Sequence, residues 1–205
     1  NDPGRKKMLE LARMAEKLLG RQDPKLQKVI TILESLLGDT FNPIVFCRYI
    51  ATASYLAEQL KKHFGDDVEV LCITGELSPA EREERIISLN PEQKTILVCT
   101  DCLSEGINLQ RHFNAVIHYD LAWSPTRHEQ REGRVDRYGQ PSPKVRCVLF
   151  YGAKNPVDGI VWEVLIRKHK EIVRRLGVSI SAPPSSKSLM EALYESLIVR
   201  RDSNM

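Results

Sequence analysis

The chain lacks any uncharged apolar run approaching the roughly 20 residues that a membrane span needs, and no signal-peptide pattern opens it. Its longest apolar runs, such as Ile96 to Cys99, stop after a few residues. No membrane partner is expected. Cysteine is sparse and odd in number, five in 205 residues. Four of the five, Cys47, Cys72, Cys99 and Cys147, sit in short apolar stretches where thiols behave as small hydrophobes. A disulfide framework is thereby excluded, and a reducing, cytoplasmic setting is expected. Glycine and proline number only eleven each, which rules out collagen-like and wholly disordered chains. An excess of one charge is nearly missing too: 30 Lys and Arg against 27 Asp and Glu leave +3. Any nucleic-acid reading must therefore rest on where the cations lie.

What is present is a change of period. Arg5 to Leu19 carries Met8, Leu11, Ala12, Ala15, Leu18 and Leu19 at helical spacing and stops at Gly20. Asp23-Pro24 opens a second helix through Leu37, closed by Gly38. From Asn42 onward, five short runs rich in Val and Ile follow: Pro43 to Cys47, Val68 to Ile73, Thr95 to Cys99, Ala115 to Tyr119 and Val145 to Tyr151. Between them lie a helical pattern over Thr52 to Phe64 and a helix opened by Ser78-Pro79 and running to about Leu89. Strands alternating with helices predict an α/β fold with a mainly parallel sheet covered on both faces. The expected division is N-terminal helices over 1–40, a core over 41–152, a long helix within 153–180, and a linker with a short last helix over 181–205. The linker, Ser181 to Ser188, contains two adjacent prolines that no helix accommodates.

In open parallel sheets, functional residues lie beyond the carboxyl ends of the strands. There the chain places Arg48, then Thr74-Gly75, then Thr100 to Asn108, then Asp120 and Trp123. A strand-end hydroxyl or an unobstructed glycine suits contact with a phosphate, and a plain turn is the alternative. Arg127 to Gln140 is the strongest signal. Placed on one helix, Arg127, Gln130, Arg134 and Arg137 fall within about 80° of one another, a stripe of three guanidiniums and one carboxamide. Val135 is its only aliphatic residue, and Gly133 lowers helix stability by roughly 1 kcal/mol relative to Ala. Arginine used throughout, with Glu129, Glu132 and Asp136 around the other side, favours an anion site such as triphosphate oxygens over a solvated helix.

These residues resemble a family. Gln130-Arg131-Glu132-Gly133-Arg134-Val135-Asp136-Arg137-Tyr138-Gly139-Gln140 is similar to the sixth motif of superfamily two helicases, Gln-x-x-Gly-Arg-x-x-Arg followed by Gly-Gln, and to its Swi/Snf-like branch. Thr100 to Gln110 resembles the fifth motif, Val116 to Pro125 the approach to the sixth, Ile44 to Leu60 the fourth, and Ile73 to Arg85 the Gly-then-Arg segment after it. The Ser104-Glu105-Gly106-Ile107-Asn108 form of the fifth motif looks like bacterial, RNA-polymerase-associated members.

The resemblance implies the second, RecA-like motor lobe of an ATP-dependent translocase, a nucleotide-binding fold without its phosphate loop. No Gly-x-x-x-x-Gly-Lys-Ser/Thr occurs in the chain, so ATP with Mg²⁺ would be held mainly by an N-terminal lobe of the same protein. This chain alone is then expected to hydrolyse ATP negligibly. Arg134 and Arg137 become the expected arginine fingers, with Gln130 positioning the finger or the attacking water. Glu105 and Gly106 would line the cleft, and Asp136 would either hold a neighbouring Arg or be an ordinary surface carboxylate. Arg48, Thr74, Gly75, Thr100 and Asn108 would grip nucleic-acid phosphates, with double-stranded DNA favoured over RNA. Trp123 would pack or stack. Arg167, Lys168, Lys170, Arg174 and Arg175 form a basic cluster that reads as a solvated face or a second DNA track.

Three functions follow from this reading. The first is DNA translocation that remodels protein–nucleic-acid complexes, with a protein partner as a further option. The second is strand separation, and the third a non-catalytic lobe that only binds. A dinucleotide enzyme is excluded because no Gly-x-Gly-x-x-Gly follows a strand. The Cys99-x-x-Cys102 pair has no second pair to complete a zinc site, so no metal is assigned to this chain.

Overall fold

In the computed structural model, residues 3–103, 107–122, 124–152, 158–159, 161 and 163–167 are described. The chain divides into two compact units, 1–163 and 164–205. The first holds the whole sheet. Of the second, only residues 164–167 are described, and they are helical.

Five strands are interleaved with helices, except that only a 3-10 turn (Leu109–Arg111) lies between the third and fourth: β1 (Pro43–Phe46), α3 (Ile50–Phe64), β2 (Glu69–Ile73), α4 (Pro79–Ile87), β3 (Thr95–Cys99), β4 (Ala115–His118), α5 (Pro125–Glu132) and β5 (Arg146–Leu149). Two helices precede them, α1 (Pro3–Lys17) and α2 (Pro24–Gly38). The strand order is β2-β3-β1-β4-β5, and every pairing is parallel. The fold is thus α/β, a RecA-like parallel sheet flanked by helices. Alternate residues of β1 divide between two cores, as the two-residue period of a strand requires. Val45 and Cys47 join α2 and α3 residues such as Leu33, Leu56 and Leu60 on one face. Ile44 and Phe46 join Ile86, Leu109, Phe113 and Val135 on the other.

Local signals explain the helix ends. Asp23 caps α2 by accepting the backbone N–H groups of Lys25 and Leu26, and Ser78 with Glu81 forms a reciprocal capping box on α4. Where the sequence places the close of α2 at Gly38, the helix runs through that residue. The left-handed position is Thr40, at φ 65°, and this turn lets the Phe41 amide reach the Leu36 carbonyl at 2.9 Å. The apolar side chains of α1, Met8 and Leu11 among them, are exposed. Cys47 and Cys99 are buried as small hydrophobes, whereas Cys147 lies exposed on β5 at the sheet edge, a correction to its expected burial. Among the described residues no helix is long and apolar enough to cross a membrane. Most of the long helix expected within 153–180 and the whole of the last helix expected within 181–205 lie outside the described residues. So do the linker and the basic cluster beyond Arg167.

Candidate nucleotide and nucleic-acid site

The order β3-β1-β4 makes β1 the point where the chain's course across the sheet reverses, and there the loops after three neighbouring strands converge. The Cys47 amide donates to the Cys99 carbonyl at 2.8 Å, and the Tyr119 amide to the Phe46 carbonyl at 3.1 Å, so β1, β3 and β4 end level. Helix α5 lies over this crevice with Pro125 in its first turn.

The helix is docked by polar groups. Arg131, 3% exposed, donates from Nε to Asp101 Oδ1 at 2.7 Å and from Nη2 to Asp101 Oδ2 at 3.0 Å, a two-pronged ion pair. Its Nη1 reaches the Asp120 carbonyl at 3.2 Å, and its guanidinium lies 5.3 Å from the Phe46 ring. Burial pushes the Asp101 carboxyl up, but Arg131 and then Arg127 outweigh it and hold the group below the usual carboxylate range. His118, fully buried at the end of β4, meets Glu132 Oε1 through Nε2 at 3.0 Å. Burial lowers its pKa against the opposing pull of Glu132, which leaves the ring neutral and donating to the carboxylate. His128 packs 4.5 Å from the His118 ring, with Nε2 at 3.1 to 3.2 Å from the carbonyl and amide of Ala122. Burial is the main cause that brings its pKa down to about 4.

Beside this dock, an open cavity of about 150 Å³ is lined by Phe46, Asp101, Leu103, Arg127, Gln130, Arg131 and Arg134. Gln130 and Arg134 are therefore brought together. Among the described residues Arg134 makes no ion pair. Two features of the expected stripe are corrected. The helix ends at Glu132, and the chain tightens at Gly133 into turns so close that a Cβ there would stand only 3.1 Å from the Glu129 carbonyl. Arg137 thus lies beyond a bend, exposed and outside the cavity wall. Arg127 faces its own sheet's loop instead, with Nη1 3.0 Å from Asp101 Oδ2. The segment is also better packed than its composition suggests. His128, Arg131 and Val135 form a buried row at helical spacing, two of whose three members are polar.

The expected nucleic-acid residues separate by exposure. Arg48 and Asn108 are exposed. Gly75 is exposed as well, and a Cβ there would meet nothing within 4 Å. Thr74 and Thr100 are buried, and the Thr100 amide donates to the Ile73 carbonyl at 3.3 Å. Glu105, Gly106 and Trp123 lie outside the described residues. Asp136 is exposed and enters no ion pair among the described residues. The described residues include no His, Cys, Asp and Glu cluster able to hold a metal ion.

Three working parts escaped the sequence reading. Asp101 and Arg131 are the lock of α5, and their signal was a strand-end Asp together with an Arg on the helix's buried face. Gln140, taken only as part of a signature, ties down the turn after α5. Its Nε2 donates to the Phe113 and Val135 carbonyls at 3.0 and 2.9 Å, while its Oε1 accepts the Ser142 amide at 3.0 Å.

Comparison with known proteins agrees with this geometry. The family description "Helicase conserved C-terminal domain" matches residues 24–139. Bacillus subtilis YwqA, named as an ATP-dependent helicase/translocase, is 30% identical over 124 residues, covering 60% of this chain and 13% of YwqA. The Schizosaccharomyces pombe ATP-dependent RNA helicase uap56 is 34% identical over 116 residues, 56% of this chain and 25% of that protein. The Sulfolobus solfataricus SWI2/SNF2 ATPase core, solved in complex with double-stranded DNA, aligns with a TM-score of 0.51 and 28% identity over 63% of this chain and 27% of its own. The matched stretch is thus a minor part of each relative's length. With five parallel strands in this order and the docked helix at their switch point, the chain belongs to the helicase conserved C-terminal domain family, the RecA-like lobe of superfamily two motors.

Proposed function

We propose that this chain is the second motor lobe of an ATP-driven, Swi/Snf-like translocase on duplex DNA, completing a nucleotide site with an N-terminal lobe and remodelling protein–nucleic-acid complexes. The observation that carries the reading is Arg134. Its guanidinium is beside Gln130 at an open cavity with no carboxylate partner among the described residues, while the neighbouring Arg131 is locked to Asp101. Phosphate oxygens fit that donor set. ATP with Mg²⁺, when bound, supplies the phosphoryl group to be transferred to water. Arg134 offsets charge on that group, and Gln130 orients the finger or the water. Arg137 acts from the rim, across the bend, and the resemblance alone assigns Glu105 and Gly106 to nucleotide contact.

Phosphate gripping belongs to the loops at the strand ends. Arg48 and Asn108 are exposed there, and among the described residues nothing requires Gly75 to lack a Cβ, which favours close approach by a bound strand. In the whole protein, Arg134→Ala lowers nucleic-acid-stimulated kcat by about 10³ or more, and Arg134→Lys fails to restore it. Retention of stimulated turnover within about threefold of wild type would remove the finger assignment. This chain alone hydrolyses ATP negligibly, and a turnover that Arg134→Ala abolishes in the isolated chain contradicts that.

Strand separation on RNA is the second reading, and the 34% identity to an RNA helicase favours it. The two are told apart with the whole protein. Displacement of a bound protein from duplex DNA without unwinding supports translocation, and RNA unwinding with RNA-specific stimulation supports the alternative.

A further inference from the structure

We infer that Asp120 is a positioning residue, which fixes the Arg48 turn for nucleic-acid contact and couples that turn to the helix carrying Gln130. The inference rests on the proposed role of Arg48. Strand β1 spends its last sheet bonds at Cys47, whose amide goes to Cys99. The Arg48 amide is thus the first on this strand with no strand to bond, and at this exposed residue a side-chain acceptor takes the place of water and gives the turn a fixed direction. Asp120 Oδ2 accepts it at 3.0 Å. The other carboxylate oxygen, Oδ1, takes Lys25 Nζ of α2 at 2.8 Å, and that ammonium also stands 3.9 Å from the Tyr119 ring centroid. The main-chain carbonyl of the same residue takes Arg131 Nη1 at 3.2 Å.

One residue therefore joins three segments: α2, the turn after β1, and α5. From the Arg48 amide to the α5 backbone the path crosses two hydrogen bonds and a single residue between them. The Asp120 side chain lines no part of the nucleotide cavity. Its effect should accordingly appear in how nucleic acid binds and stimulates turnover, while turnover without nucleic acid stays as it is. The pair with Lys25 is half exposed and anchors the carboxylate in the rotamer that faces Arg48, a supporting part.

The test uses the whole protein and a short DNA duplex of mixed sequence. Asp120→Ala raises the duplex concentration for half-maximal ATPase stimulation by about tenfold, the equivalent of one charge-assisted hydrogen bond, with basal turnover unchanged. Asp120→Asn keeps an oxygen acceptor for the Arg48 amide and stays within about twofold of wild type. Arg48→Ala separates the two layers of the argument. If it weakens the duplex response and Asp120→Ala does not, the positioning role alone is overturned. If Arg48→Ala has no effect, the strand-grip reading of Arg48 fails and the inference falls with it. Should Asp120→Ala prevent folding, amide hydrogen exchange at Arg48 in the wild-type protein decides. Slow exchange that slows further on adding duplex supports the inference, and exchange at the rate of a free amide overturns it.

Discussion

Helices α3 and α5 meet the same sheet by opposite chemistry. Helix α3 buries Ala53, Leu56, Ala57 and Leu60 against the sheet as an apolar row, while its Tyr55 and His63 bond Asp23, the Gly20 amide and Glu34 in the N-terminal helical segment. Helix α5 buries His128 and Arg131, and it is held by the Arg131–Asp101 ion pair, the His118–Glu132 bond and the His128 contact with Ala122. Apolar packing tolerates small slides at modest cost, whereas a two-pronged guanidinium–carboxylate pair fixes both angle and depth. The difference follows from what each helix must do. The first only closes a core, and the second has to hold Gln130 and Arg134 at a set place on the cavity wall.

The comparison can be broken most strongly at Asp101. Asp101→Ala leaves a buried guanidinium unpaired and costs about 3–5 kcal/mol, read as the shift in urea midpoint of the isolated lobe. Leu60→Ala costs about 2–5 kcal/mol by opening a cavity. In the whole protein, Leu60→Ala leaves turnover per folded molecule near wild type while Asp101→Ala does not; equal losses would erase the contrast between the helices. A double variant, Asp101→Leu with Arg131→Met, sharpens the point further, since replacing a buried pair by apolar groups is often neutral for stability. It should unfold near the wild-type midpoint and still lack stimulated turnover.

Acid tests the polar dock from another side. His128 has a native pKa of about 4, below the ordinary histidine value, and His118 is lowered as well. In the unfolded chain both rings protonate near pH 6.5, so the unfolded state binds more protons in this window. Stability is therefore full above about pH 6.5 and falls by up to about 3 kcal/mol towards pH 4. His128→Phe flattens that slope. An unchanged slope in the variant would mean that other groups carry it. The smallest effect is expected at Gln130, an exposed side chain of the cavity wall. Gln130→Ala should change stability by less than about 0.5 kcal/mol while reducing turnover of the whole protein.

The centre of the sheet was legible because β1, β3 and β4 are short apolar runs buried on both faces, which need no other pattern, whereas the edge strands β2 and β5 are only partly buried. Helix α3 was legible because its buried row is apolar. The buried row of α5 was not, since His128 and Arg131 count as surface residues until the partners that neutralise or bond them are known. Of those partners, Asp101 lies 30 residues before Arg131, and the Ala122 backbone, only six residues from His128, carries no side-chain signal of the contact. The continuous stripe failed for a local reason, the tightening of the chain into turns after Glu132, which leaves Arg137 out of line. The resemblance singled out Gln130 and Arg134, both of which line the cavity, but it was silent on Asp120, whose proposed role depends on three segments meeting.

The side-chain amide of Gln140 has a mechanical consequence. By gripping two carbonyls and one amide it pins the trailing foot of the turn that bears Arg137, while buried Val135 pins the leading foot. Between those feet Asp136, Arg137, Tyr138 and Gly139 are all exposed. The Asp136 amide bonds the Glu132 carbonyl at 2.8 Å and the Gln140 amide bonds the Arg137 carbonyl at 3.0 Å, so the crest is a braced arch that holds its exposed side chains out from the domain at a set height.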